Sequence, residues 1–344
     1  MNEQNSGAVP TESILPPTPY KDRSIGLIIF GVLTILLGGL TGLLVLTTLA
    51  GQAMAVRTQG AAVPFSAVLS VVSIYGILAL ALVWLGIGSI MARRWARALL
   101  LIFSWSWLIL GVFIVIVMAF LMPTILASAS PSGTPDHPAP PPGQIVMVMV
   151  FLLLFFGFFF IILPAVWTFF YNSRHVKATC EARDPVTRWT DACPLPVLGL
   201  CLWLVFCVPT MLLMALSGHA VMPFFGLFLV GLPGALFCLA ISALWTYCAW
   251  RLYKLDAGGW WLILIALCVF TASALVTFAQ HDTMEMYRLM GYSEAQIEQI
   301  QKTGMLVGNH MSWLMSFSVL PFIGYLFFIK KYLRRESESP RPAA

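Results

Sequence analysis

The fold class that the sequence predicts is an all-α polytopic membrane protein, with eight transmembrane helices as two tandem four-helix units in parallel orientation. Three observations predict it: long apolar stretches free of charge, basic residues sorted into alternate loops, and landmarks that recur half-way along the chain. Hydrophobic residues make up 60% of the 344 and charged ones 10%, with a mean hydropathy of +0.89. Soluble domains run at about 45–50% apolar and 25% charged. A helix needs roughly 20 mostly apolar residues to cross the hydrocarbon core.

The chain opens on a polar segment, 1–24, expected to be a disordered cytoplasmic tail. The small-residue triplet Ala53-Met54-Ala55 resembles a signal-peptidase site. The polar leader and the apolar run of residues 25–49 are both too long for a signal's h-region of about 7–15 residues, so the first span is expected to remain as an anchor. The first unit, 25–172, holds spans at 25–49, 65–91, 98–122 and 145–170. A cytoplasmic linker, 173–195, leads to the second unit, 196–335, with spans at 196–216, 224–250, 260–279 and 307–329. Residues 336–344 are expected to be a disordered cytoplasmic tail.

None of the eight stretches holds a Lys, Arg, Asp or Glu. They are continuously apolar, whereas barrel strands alternate over about ten residues, and a helix satisfies its own backbone hydrogen bonds in lipid.

With the N-terminus in the cytoplasm, 16 of the 19 basic residues fall inside and 3 outside, as the positive-inside rule requires. Both termini are then cytoplasmic. The cluster Arg93-Arg94-Trp95-Ala96-Arg97 sits in the short turn between spans two and three. There it reads as an orientation marker with a headgroup-level Trp rather than a nucleic-acid patch, and Trp167, Tyr171, Trp250, Tyr253, Trp260 and Trp261 are expected at the same belt. No cysteine falls outside, so no disulfide is expected.

The duplication rests on residues 62–94 laid over 220–254 at a shift of about 158, which pairs Gly76 with Gly234 and Arg93 with Arg251. Pro164 then meets Pro321, and Arg174 meets Lys331. Units with an even number of spans face the same way; parallel repeats occur in transporters and in proteins that grew by duplication. Loop three, 123–144, has seven prolines and is expected to be extended. Gly38/Gly42 and Gly304/Gly308 are GxxxG pairs that permit close helix packing, and Pro164, Pro209, Pro233 and Pro321 are expected to kink their helices.

The outer loop 281–306 is the most hydrophilic ordered-looking stretch. Asp282 with Glu285, and Ser293 with Gln296, have capping-box spacing and predict helices over 283–290 and 294–302, broken at Gly291. Met286, Leu289, Met290, Ile297 and Ile300 would supply an apolar face. Four of the five histidines, His137, His219, His281 and His310, map to the outer side. His281 and Glu285 stand four apart beside Asp282, with His310 at the start of span eight; these four are the weak candidates for a metal site, since imidazole and carboxylate bind transition metals. As caps and helix-end residues they also have structural work, and no metal or other cofactor is expected. There is no GxSxG, no GxxxxGK[ST] and no GxGxxG.

Composition and motifs therefore point to a non-catalytic integral inner-membrane protein, a scaffold, accessory or sensor component, since spans without ionisable residues lack the usual relay of ion-coupled transport. A facilitator or transporter of a neutral or lipophilic solute between the repeats is the alternative, and an outer-face metal-binding protein or enzyme the second. The expected partners are the lipid bilayer and other membrane proteins, not nucleic acid. The absence of an N-x-[ST] sequon suits a bacterial inner membrane.

Overall fold

A computed structural model describes residues 20–59, 65–129, 142–216, 220–302 and 310–337. In order, the elements of the first half are α1 (Ser24–Gln59), α2 (Phe65–Ile90), α3 (Arg94–Ala129), and a rod made of α4 (Pro142–Gly157), a π turn (Phe158–Ile162) and α5 (Leu163–Asn172). Then come α6 (Arg174–Arg183) and a 3-10 turn (Trp189–Asp191). The second half has α7 (Leu195–Leu216), a hairpin of β1 (Val221–Phe224) and β2 (Leu227–Val230), α8 (Leu232–Tyr253), α9 (Ala257–Gln280), α10 (Thr283–Leu289), α11 (Glu294–Lys302) and α12 (His310–Ser337).

Seven helices among the described residues are long and apolar enough to cross a membrane, from Ser24–Met54 to Ala257–Gln280. Large apolar side chains such as Leu36, Phe151, Leu154 and Phe169 point outward, and patches of that size on a protein surface mark contact with lipid. The chain is an all-α integral membrane protein. Residues 310–329 of the expected eighth stretch are helical within α12, which runs on to Ser337 and is not among the seven, and residues 307–309 lie outside the described ones.

Burial divides into one large cluster per half. The first gathers Leu27, Leu85, Leu100, Trp167, Tyr171 and Val176; the second gathers Val197, Leu200, Leu252, Trp260, Ile263 and Leu326. In each half the helices pack in chain order: α1 on α2, α2 on α3, α3 on α5; and α7 on α8, α8 on α9, α9 on α12. The halves meet where α7 touches α2 and α3. The α1–α2 seam is close because Gly31 and Gly86 face each other: a Cβ on Gly31 would lie 2.8 Å from the Gly86 carbonyl oxygen, and one on Gly86 would crowd the Gly31 carbonyl at 2.7 Å. Gly38 approaches the Ala79 carbonyl one heptad further on, and small residues permit this approach. Gly42 meets only an ordinary contact, and Gly304 and Gly308 lie outside the described residues.

Several polar groups inside the bundle satisfy each other, while Thr168 Oγ1 is buried with no partner. Ser89 Oγ donates to the Leu27 carbonyl (3.0 Å) and shares a 2.7 Å hydrogen bond with the Tyr171 hydroxyl. Trp167 Nε1–H donates to Thr34 Oγ1 (3.3 Å), and Trp260 Nε1–H donates to the Leu326 carbonyl (2.7 Å). Trp167, Tyr171 and Trp260 are therefore core residues rather than members of an exposed belt. Trp250 and Trp261 do stay exposed, with Lys254 over Trp250 and Lys330 over both Trp260 and Trp261.

The turns after α2 and α8 have the same construction. Ala92 and Leu255 take positive φ (52° and 59°). Their N–H groups reach the carbonyls of Ser89 and Leu252, and the next N–H groups, of Arg93 and Asp256, reach back to Gly88 and Arg251. That is the Schellman pattern, which satisfies the last carbonyls of a helix.

Several expectations need correction. The sixth span begins at Leu232, not 224, because Phe225 (φ 42°) and Gly226 (φ 88°) turn the preceding apolar run into an antiparallel hairpin; two positive-φ residues make the turn whose twist suits paired strands. Pro233 stands in the first turn of α8 and produces no kink there, since that position has no helical N–H to lose. Pro164 instead follows the π turn. It lacks the N–H that would meet the Phe160 carbonyl in an α-helix, and this carbonyl lies against Gly111 of α3. Loop three is shorter than expected, as α3 continues to Ala129. The linker contains a helix of its own: Ser173 caps α6, accepting from the His175 N–H, and α6 packs on α1, α3 and α5.

Candidate functional site

On the face opposite the N-terminus, Asp282 opens α10 by accepting from the Met284 N–H (3.3 Å). Ser293 and Gln296 exchange hydrogen bonds as a capping box at the start of α11. Gly291 (φ 88°) breaks the two helices, and Arg288 bridges the break to Glu294 at 2.9 and 3.3 Å. Ile297 and Met284 are the buried apolar anchors.

Glu285 corrects the expectation: its carboxylate holds His281 Nδ1 at 2.8 Å rather than the helix-start amides. The other ring nitrogen, Nε2, lies 3.0 Å from the Gly226 carbonyl at the hairpin tip. A carbonyl and an ionised carboxylate only accept, so both contacts are made together by an imidazolium. The hydrogen bond to Glu285, then that to Gly226, raise the His281 pKa above its ordinary value. The same tip is held by Ser273 Oγ and Thr277 Oγ1, which accept from the N–H groups of Phe225 and Gly226 at 3.0 Å. His281, Asp282 and Glu285 thus form a strap between α9, α10 and the hairpin. No group of three or more His, Cys, Asp or Glu among the described residues could hold a metal. His310 opens α12, but its side chain, like His137 and His219, lies outside the described residues.

On the N-terminal face, α6 and the 3-10 turn close over the ends of the first-half helices. Asp184 is the one buried charged side chain among the described residues. It accepts from Arg188 Nη2 (3.1 Å) and the Arg94 N–H (3.3 Å), with Arg93 at 3.7 Å. Burial pushes its pKa up, but these hydrogen bonds and the two guanidinium charges outweigh burial and leave it below the usual value. Glu181 pairs with Arg94 and Lys177, and Asp191 with Arg94. The chain just before α1 docks here too: the Arg23 N–H donates to Thr179 Oγ1 (3.1 Å), and Asp22 pairs with Arg183. Tyr253 closes the other side by donating to the Trp189 carbonyl (2.9 Å).

Between α3, α6 and the 3-10 turn lies a cavity of about 260 Å³, lined among others by Arg94, Arg97, Lys177, Cys180, Glu181 and Thr190. Arg97 Nε and Thr190 Oγ1 are buried there without a hydrogen-bond partner. Burial is the main cause that lifts the Cys180 thiol to about 11. It stays protonated at neutral pH and is no nucleophile, since the thiolate is the reactive form.

The chain matches no family, no curated protein and no solved structure. Geometry alone therefore carries the functional reading. The sequence singled out Arg93 and Arg94 as cations of a short inter-span turn, but not their carboxylate partners. The available signal was acid density: Glu181, Asp184 and Asp191 fall within eleven residues of a chain with 14 acids.

Proposed function

We propose that the chain is a non-catalytic component of a bacterial inner membrane, a scaffold, accessory or sensor, with eight spans in two tandem four-helix units and both termini cytoplasmic. The observation that carries the role is the placement of charge. In the described spans the ionisable acids and bases sit in end turns, such as Arg94 and Arg97 at the start of α3 and Arg251 at the end of α8. Further in, the hydroxyls of Thr34, Thr41, Ser104, Ser242 and Thr271 donate to carbonyls one turn back in their own helices, beside thiols and the Thr168 hydroxyl. Neither a proton relay nor an acid–base pair can be assembled from them.

The tandem arrangement is supported by the shared packing order and by the paired Schellman turns; the second half adds a smaller core cluster of Ala220, Met222, Cys238 and Ile241 that has no counterpart among the first-half clusters. Matching those turns pairs Ala92 with Leu255, a local shift of 163 rather than 158. Ion-pairing of the linker to the ends of α1 and α3 suits a folded platform that other membrane proteins can contact.

Single cysteines introduced at Ala295 and Ser339 in a cysteine-free background test the topology in intact cells with a membrane-impermeant maleimide. Labelling is expected at Ala295→Cys only; labelling of both variants, or of Ser339→Cys only, would overturn the arrangement. For the role, affinity purification from native membranes is expected to recover another membrane protein in fixed stoichiometry. Protein-dependent uptake of a neutral solute into proteoliposomes, with no such companion, would replace this reading by facilitated transport.

A further inference from the structure

We propose that the cavity between α3, α6 and the 3-10 turn binds a phosphate group, with the Arg97 guanidinium and the Thr190 hydroxyl as its ligands. The site goes beyond the role given above and stands or falls separately from it.

Every other basic residue around the cavity has a carboxylate. Arg93 and Arg188 share Asp184, Arg94 reaches Glu181 and Asp191, and Lys177 reaches Glu181. Arg97 makes no ion pair with a described residue, and its Nε is buried without an acceptor. An arginine cannot shed its charge, and a buried unpaired donor in a native protein calls for a missing water or ion. Thr190 is the second, independent signal. It is 2% exposed, its Oγ1 has no partner, and it lines the same cavity from a different segment.

The character of the ligand follows from the charge balance. Arg94, Arg97 and Lys177 face the cavity with Glu181 and Asp191, so three cations meet two carboxylates. Both acids are already engaged: Glu181 by Arg94 and Lys177, Asp191 by Arg94 and by the Arg188 N–H at 2.9 Å. One positive charge is left over, and it belongs to Arg97. Arg97 can only donate, and Thr190 can donate while keeping its lone pairs free. An acceptor-rich anion satisfies both, as guanidinium forks do with phosphate oxygens. A metal cation fits less well, because no group of three or more His, Cys, Asp or Glu among the described residues could hold one. The volume, about 260 Å³, is below the roughly 300–1,000 Å³ of sites for drug-sized ligands, and suits a single headgroup or small phosphate.

A lipid headgroup and free phosphate share this chemistry, and the test separates them. The full-length protein, purified in dodecyl maltoside without phospholipid, is titrated with inorganic phosphate in one arm and phosphatidylglycerol micelles in the other, and its melting temperature is followed. A saturable rise with phosphatidylglycerol but not phosphate makes the source a lipid. A rise with phosphate alone makes it a soluble ion. No saturable rise in either arm overturns the proposal.

Arg97→Gln is expected to abolish the saturable rise, and Thr190→Val to weaken the apparent affinity about tenfold, the worth of roughly one charge-assisted hydrogen bond. Thr190→Val removes only an unpartnered hydroxyl, so it keeps the test valid should Arg97→Gln fail to fold. Arg288→Gln, on the opposite face, is expected to leave the titration unchanged. Equal affinities in wild type and Thr190→Val would mean that the anion binds without the Thr190 hydroxyl and would overturn the assignment.

Discussion

Replacing Gly86 by Ala tests whether the α1–α2 seam sets the geometry of the first half. The new Cβ would stand 2.7 Å from the Gly31 carbonyl oxygen and 2.6 Å from Ile35 Cγ1, where ordinary contact begins at 3.4 Å. The carbonyl belongs to a helix backbone and cannot swing aside, so the helices must part by about 0.7 Å, the difference between 3.4 and 2.7 Å. A radial gap of about 0.5–1 Å forfeits a quarter to a half of each pairwise attraction of about 0.1–0.2 kcal/mol. Over a few dozen atom pairs near the site this gives about 1–3 kcal/mol, the usual range for overpacking. Gly39→Ala, one residue from the seam with nothing within 4 Å, is the control. It carries the same backbone gain of about 1 kcal/mol for Gly→Ala in a helix, so the difference between the variants isolates the clash. Unfolding by SDS in mixed micelles is the assay. Gly31→Ala is expected to cost a similar amount, and the double variant less than the sum, because helices already parted admit the second methyl. If Gly86→Ala and Gly39→Ala unfold together, the seam does not hold the helices as described.

Three further outcomes are expected. Asp184→Ala removes hydrogen bonds from Arg188 and the Arg94 N–H and is expected to cost about 2–3 kcal/mol, read as faster tryptic cleavage after Arg183 and Arg188; unchanged cleavage would contradict the clamp. Since the Asp184 pKa is lowered on folding, its contribution is complete above about pH 4 and fades as the pH falls through the folded value. The His281 pKa is raised, so its strap is complete below about pH 6.5 and is lost as the pH rises through the folded value. Hydrogen exchange at the amides of Phe225 and Gly226, corrected for base catalysis, is expected to accelerate at alkaline pH in wild type but not in His281→Gln; a flat wild-type profile would count against it. Cys180, at about 11, is expected to resist iodoacetamide at neutral pH until the protein is unfolded, and rapid labelling of the folded form would contradict its burial.

The spans could be read from the sequence because lipid leaves an apolar run of sufficient length one backbone solution. The stretch 224–230 could not, since a short apolar run has no period that separates strand from helix; only Gly226 hinted at a turn. Caps were legible where donor and acceptor are neighbours in sequence, as at Asp282 and Ser293. Glu285 failed that logic because its spacing to His281 competes with its spacing to Asp282, and the carboxylate chose the imidazole. The Arg97 and Thr190 cavity was invisible for a different reason. Its two unpartnered groups come from separate segments, and an arginine in a short turn between two apolar spans already has an ordinary explanation in the charge bias of loops, whatever else it faces.

The docking of residues just before α1 onto α6 links positions about 155 apart, Arg23 to Thr179 among them. At synthesis rates of about 5–20 residues per second, the start of the chain waits roughly 8–30 s for its acceptor to emerge. When α6 arrives, it seals the first half before most of the second has been made, so a ribosome that stalls beyond the linker leaves behind a closed bundle rather than a loose hairpin.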